Sequence, residues 1–205
     1  MATKLNREAW LNKLAQDLTT KVFKRVRPEL VFPAIRYTCG WPSRKAVSRK
    51  NKTIGQCFPP SCSKDKTTEI IISMYIDNPM DTAAVLAHEM VHGVIGCQHG
   101  HKKPFRDLAL AIGLEGKMTS TTAGPDFIKM LEPILKKLGP YPHAKIDASA
   151  TPKQGTRLIK VECPDCGFNV RITRTWLDSH GGPICPQDEL EMVEPTTANK
   201  LALAA

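Results

Sequence analysis

An α+β fold in two parts is what this sequence predicts, and three observations predict it. A β-branched run, Glu69-Ile70-Ile71-Ile72-Ser73-Met74-Tyr75-Ile76, stands directly before a proline-opened helical segment. Such residues suit a pleated strand, and Pro79 behind Asn78 suits the first turn of a helix. An amphipathic helical pattern precedes that strand. Beyond a stretch rich in proline and glycine, a C-P-x-C-G knuckle lies between two segments of strand character, 156–162 and 168–176. The expected organisation is a helix-rich core with a small three-stranded sheet over 1–140, a linker at 141–155, a small β unit at 156–193 and a tail at 194–205.

Each element has a local reason. Residues 5–31 carry Leu11, Leu14, Leu18, Val22 and Val26 at i, i+3 and i+4 spacing, the apolar face of one helix, which is expected to pack on the core rather than on a membrane. Strands follow near 34–39, 53–58 and 69–76. The helix opened by Asp77-Asn78-Pro79 continues through Ala83, Ala84, Leu86 and Ala87, all good helix formers. Another is expected from Lys103 or Pro104, carrying Phe105, Leu108, Ala109, Leu110, Ile112 and Leu114. Gly124-Pro125-Asp126 opens a third over 127–138, which Pro133 should kink or delay. Pro140, Pro142 and Pro152, with Gly139 and Gly155, mark 139–155 as linker. No internal repeat is visible.

Composition narrows the class. The chain has 205 residues, 41% of them hydrophobic, which suffices for a core. No apolar run approaches the ~18 residues of a membrane span. The first ten residues lack the apolar region of a secretory signal. A cytoplasmic protein without membrane contact is therefore expected. Seven cysteines, an odd number, argue against a disulfide framework. Cys39, Cys57, Cys62 and Cys97 lack metal-ligand spacing and are expected to be free, buried thiols. The net charge is +9 and unevenly spread. Arg44, Lys45, Arg49, Lys50 and Lys52 fall between two expected strands with no acid among them, and Lys21, Lys24, Arg25 and Arg27 crowd the end of the first helix. A basic hairpin loop can grip phosphates, because neutralised phosphates release counterions. The plain alternative is a solvated loop that maintains solubility. DNA is the expected partner, and Arg171 and Arg174 could extend the surface.

The most specific signal is His88-Glu89-Met90-Val91-His92, an H-E-x-x-H run within the second expected helix. Four residues are little more than one turn, so both imidazoles leave one face. Two neutral histidines at that spacing can hold a zinc ion while the glutamate faces a bound water. Zinc lowers the pKa of that water to about 7, and a carboxylate can then take its proton. A zinc hydrolase is the chemistry this predicts. A catalytic zinc takes a third protein ligand and keeps one position open. The spacing H-E-x-x-H-x-x-G-x-x-H fails, since Gly96 and His99 each come one residue late. His99 and His101 both remain candidates, and Gly93, Gly96 and Gly100 loosen the chain between. Tyr141, a polar aromatic after the core, offers itself either for oxyanion stabilisation or for packing.

A second metal site is expected in the β unit. Cys163-Pro164-Asp165-Cys166-Gly167 is half of a zinc-ribbon site, and the other half should stand about 15–20 residues on. Pro183-Ile184-Cys185-Pro186-Gln187-Asp188 is there, with Asp188 where Cys or His is usual. Asp188 could ligate through oxygen, His180 could enter from the loop, or the ribbon could keep its shape without metal. A structural zinc on Cys163, Cys166, Cys185 and Asp188 is the favoured expectation.

Taken in order, these motifs resemble those of the SprT-like metallopeptidases, the family that includes bacterial SprT and animal Spartan. There, H-E-x-x-H is followed by G-H-x-x-x-F, whose histidine is the third metal ligand. Gly100-His101-Lys102-Lys103-Pro104-Phe105 fits that element. The likeness is closer to the small SprT-like proteins of bacteriophages, with their C-G-W-P-S, I-G-x-C and G-L-E-G-K-M-T segments. Here they read Cys39-Gly40-Trp41-Pro42-Ser43, Ile54-Gly55-Gln56-Cys57 and Gly113-Leu114-Glu115-Gly116-Lys117-Met118-Thr119. The likeness runs from about residue 5 to about residue 190 and departs from the pattern at Asp188. It implies a zincin-like metallopeptidase core followed by a zinc ribbon, and a catalytic zinc on His88, His92 and His101. It also implies Glu89 as general base, and action on DNA-bound or DNA-crosslinked proteins in a host cytoplasm. The rival expectation is a nucleic-acid-binding zinc protein with little proteolysis, which the basic loop and ribbon support and Glu89 argues against. A purely structural zinc protein is disfavoured, because three histidines leave a position open.

Overall fold

The computed structural model describes residues 5–48, 50–150 and 158–195. The chain divides into two compact units, Met1–Ala150 and Thr151–Ala205. Both mix helices with small sheets, an α+β architecture. Among the described residues no helix is long and apolar enough to cross a membrane.

The first unit opens with α1, Arg7–Leu18, capped by the Asn6 side chain, which accepts from the Ala9 N–H at 2.8 Å. Trp10, Leu11, Leu14 and Leu18 are buried on its inner face. The helix does not run to residue 31 as its periodicity predicts. It passes into a π-helical turn, Thr19–Phe23, and a last short piece, α2, Lys24–Val26. The i+5 repeat of the π turn puts Phe23 beside Val22 in the core, both fully buried. Pro28 disfavours helical backbone at the preceding residue, and Arg27 leaves the helix at φ −142°, ψ 81°.

The sheet holds β1, Ile35–Gly40, β2, Gly55–Phe58, and β3, Thr68–Ser73, in the order β1-β3-β2. β1 runs parallel to β3 with Cys39 opposite Ile72, and β2 runs antiparallel to it with Cys57 opposite Ile70. Ile70 and Ile72, on one face of β3, are fully buried. Because β1 and β2 flank β3, the basic segment 41–54 crosses from one edge of the sheet to the other and is not a hairpin loop.

Helix α3, Pro79–Ile95, packs on β2 and β3. The Asn78 side chain accepts from Met80 and Asp81 N–H groups at 2.8 and 3.2 Å. Gly93 lets it approach the sheet closely, since a Cβ there would meet Ile35 Cδ1 at 3.2 Å, and Leu86, Met90 and Val91 are fully buried. Helix α4, Lys103–Ala111, stops before the expected Leu114, because Gly113 turns the chain at φ +87°. Leu114 instead begins an unanticipated hairpin, β4, Leu114–Lys117, with β5, Ser120–Ala123. Helix α5, Pro125–Leu138, runs through the exposed Pro133, whose missing N–H leaves the Lys129 carbonyl without its helical donor.

The stretch after α5 is not a free linker. Trp10 Nε1 donates to the Gly139 carbonyl at 3.1 Å, and the Tyr141 ring lies 4.7 Å from that of Trp10. The Ile146 N–H donates to the Met74 carbonyl at 2.9 Å. These contacts belong to the first unit, which continues to Ala150. Residues 151–157 lie outside the described residues, as does the tail from 196.

In the second unit, β6, Ile159–Glu162, pairs antiparallel with β7, Asn169–Ile172. The expected strand to 176 ends early because the Thr173 hydroxyl accepts from the Trp176 N–H at 3.3 Å and starts α6, Arg174–His180. Arg174 is therefore a helical residue, ion-paired with Glu194 and Asp178 rather than set along the strand with Arg171. A small core of Val161, Cys163, Cys185 and Met192 closes this unit.

Candidate metal centres

His88 and His92 stand one turn apart on α3. Gly96, at φ +92°, ends that helix, and a 3-10 turn, Cys97–His99, leads to Gly100 at φ +50°. These left-handed positions reverse the chain and bring His101 back over the helix. Its Nε2 lies 3.2 Å from both His88 Nε2 and His92 Nε2, and the three ligand atoms fall within 4.8 Å of one another. His99 is not part of the cluster. Two nitrogens on a tetrahedral zinc, each at roughly 2.05 Å, are about 3.3 Å apart, so this spacing fits the ion.

The surroundings also suit a metal. Phe105, fully buried on α4, forms the floor, its ring 4.7, 4.4 and 4.9 Å from those of His88, His92 and His101. Thr121 Oγ1, on β5, is 2.8 Å from His88 Nδ1. With Nδ1–H donating to that hydroxyl, the Nε2 lone pair points to the centre. Burial, then the neighbouring His92, holds His88 down to about 3; burial holds His92 down to about 4 and lowers His101 as well. All three rings are thus neutral near pH 7, the form that binds metal.

Glu89 is 6% exposed and lines the same cleft as the three histidines. Burial chiefly, with Cys97 nearby, pushes its carboxyl up to about 8, against the pull of a Cys57 backbone hydrogen bond. A cation among the histidines would favour the carboxylate. Gly55 makes room for this group: a Cβ there would meet Glu89 Oε1 at 2.5 Å and Val85 Cγ1 at 2.6 Å.

The cluster opens into a cleft of about 740 Å3. Lys45, Lys52 and Lys117 line it, with Thr119, Ser120 and Thr121 along the β4–β5 side. Lys52 Nζ lies 4.0 Å over the Tyr75 ring. Of the basic segment, Lys45 and Lys52 reach the cleft, Arg44 and Lys50 are exposed and do not line it, and Arg49 lies outside the described residues. Tyr141 is 4% exposed against Trp10 and does not line the cleft, so it packs in the core and is no oxyanion donor. Thr121, Lys117 and Gly55 escape sequence reasoning as site residues. The G-L-E-G-K-M-T and I-G-x-C segments hold Lys117 and Gly55, but only folding shows that they face the histidines.

In the second unit, Cys163, Cys166, Cys185 and Asp188 bring ligand atoms within 4.8 Å of one another. Asp188 Oδ2 accepts from Cys163 Sγ at 3.1 Å and Cys185 Sγ at 3.4 Å, and Cys166 Sγ lies 3.6 Å from Cys185 Sγ. Hydrogen bonds from Cys166 and Cys163 hold the Asp188 carboxyl below its ordinary value, so an anionic oxygen joins three sulfurs. That donor set suits zinc. His180 turns to Ser179 and Trp176 and is not in this cluster. The described cysteines are all free, yet only Cys39 of the four outside this site is buried, while Cys62 is exposed and Cys57 and Cys97 are half-buried.

No protein-family model matches the chain, and neither a curated protein nor a solved structure matches it.

Proposed function

We propose that this chain is a zinc metalloendopeptidase of SprT-like type that acts on DNA-bound or DNA-crosslinked proteins. The observation that carries this reading is the convergence of His88, His92 and His101 on one point with Glu89 buried beside them. A zinc ion held by those histidines would supply a Lewis acid that acidifies a water and polarises a peptide carbonyl. Glu89 takes the proton from the attacking water and returns it to the leaving amine. Thr121 orients His88, and Phe105 keeps bulk water from beneath the ligands. The second cluster holds a structural zinc on Cys163, Cys166, Cys185 and Asp188.

The DNA part of the proposal rests on charge. The chain carries a net +9, and Lys45 and Lys52 stand at the cleft with Arg44 and Lys50 in the same basic segment. The same lysines favour a second reading, a nucleic-acid-binding zinc protein with little proteolysis. One experiment separates the two. The zinc-loaded chain is incubated with a basic DNA-binding protein, with and without single-stranded or duplex DNA, beside Glu89→Gln. The proposal expects cleavage by the wild type and a loss of roughly 10²-fold or more in the variant, the scale of general base catalysis. DNA binding with no cleavage by either protein would leave the second reading standing.

A further inference from the structure

The wall of the metal cleft contains a pair of thiols that the hydrolytic chemistry does not use. Cys57 lies on β2 and Cys97 opens the turn after α3, and both line the cleft. Their sulfurs are 3.4 Å apart, and Cys97 Sγ also lies 3.7 Å from the Cys57 carbonyl oxygen. A bonded pair needs about 2 Å. Closing that gap asks only a small movement of two half-buried side chains, and Gly96 and Gly100 flank the turn that carries one of them. We propose that Cys57 and Cys97 are a reversible oxidation site, a dithiol that a hydroperoxide entering the cleft converts to a disulfide.

The chemistry balances. The Cys97 sulfur attacks one peroxide oxygen, the O–O bond breaks, and the other oxygen leaves as water with the thiol proton. Cys97 is then a sulfenic acid. The Cys57 sulfur displaces its hydroxyl: the S–S bond forms, the S–O bond breaks, and a second water carries off the Cys57 proton. Two thiols lose two hydrogens, and one hydrogen peroxide is reduced to two waters. The roles follow from the environment. The contact with the Cys57 thiol lowers the Cys97 thiol, whereas that same contact and burial push Cys57 up. Attack on peroxide is a thiolate reaction, so Cys97 leads and Cys57 resolves. The bridge would tie the edge strand β2 to the turn that delivers His101. It stands on this geometry whether or not the site cleaves peptides.

The test uses the full zinc-loaded chain in a Cys62→Ser background, where the tryptic peptide carrying Cys57 has no other cysteine. The protein is treated with a small excess of hydrogen peroxide, alkylated with iodoacetamide, digested and mapped by mass spectrometry, with zinc per chain measured in parallel. The expected result is one linked peptide pair joining Cys57 to Cys97, two hydrogen masses lighter than the free pair. Two alkylatable thiols are lost, dithiothreitol restores both, and zinc is unchanged. Adding Cys97→Ser should leave Cys57 alkylatable after the same treatment. Separate alkylation of Cys57 and Cys97 after peroxide overturns the proposal. So does a link from either one to Cys39, or oxidation confined to the thiols of the second unit with loss of zinc.

Discussion

Glu89 keeps its place only because Gly55 leaves space for it. A methyl group at Gly55 would stand 2.5 Å from Glu89 Oε1 and 2.6 Å from Val85 Cγ1, and Val85 on the packed helix cannot yield freely. Gly55→Ala should therefore displace the carboxylate and lower kcat/KM about 10²-fold, the usual cost of misplacing a reacting group by about an ångström. Zinc content should stay at the wild-type level, and peptide assays beside metal analysis check both. Thr121 acts differently, through the Nδ1 of His88. Thr121→Val removes that oxygen at nearly constant volume and should weaken zinc about 10–100-fold in a chelator competition, with the fold retained. Unchanged zinc affinity would mean that the hydroxyl orients nothing. His88 and His92 also give the metal-free protein a pH signature. Folding holds them down to about 3 and about 4, against about 6.5 unfolded. Glu89, held up to about 8 against about 4.5 unfolded, works the other way by one proton. Below about 6.5 the two histidines outweigh it, so stability falls as pH drops from about 6.5 to about 5. The urea midpoint of chelator-treated protein at pH 7 and pH 5 measures it.

Elements were legible where their cause is local. Asn78 and Pro79 announce α3, and that helix alone places His88, Glu89 and His92. His101 needed more, because two left-handed glycines reverse the chain and no periodicity reports a reversal. The β4–β5 hairpin was missed for a related reason: Leu114 and Ala123 are paired, but the residues between them are almost all polar, so no apolar alternation marks either strand. The π turn is an i+5 event hidden in an i, i+3, i+4 pattern. The prolines after α5 pointed to a linker, yet the Tyr141 ring packs tilted against Trp10, from the other end of the unit's sequence, a contact that only the tertiary fold creates. That contact makes the boundary testable. A chain ending at residue 140 loses Tyr141 and should fall by about 3–5 kcal/mol in stability, the cost of removing a buried aromatic side chain. A chain ending at Ala150 should match the stability of the first unit in the full protein. Equal denaturant midpoints for the two truncations would return 141–150 to the linker.

At the scale of the whole molecule, two compact units each gather one metal-competent cluster, so zinc should approach two per chain and Asp188→Ala should lower it toward one. The excess positive charge raises a separate question, which is where it is used. Part of the basic surface is already paired with acids, as at Lys21 with Asp17 and Arg36 with Asp65 and Glu69. The segment 41–54 has no acid of its own, and it places Lys45 and Lys52 at the cleft, where Lys52 also rests on Tyr75. If these lysines grip phosphates, each contact releases counterions, and the affinity for duplex DNA falls with log salt at about 0.9 per contact. Lys45→Ala, Lys50→Ala and Lys52→Ala together should then reduce that slope by about 1–3 and weaken binding at low salt, independently of DNA sequence. Zinc content should not change, because none of the three touches a ligand. Fluorescence anisotropy at several salt concentrations reads the slope directly. A slope identical to that of the wild type would assign DNA contact to other residues.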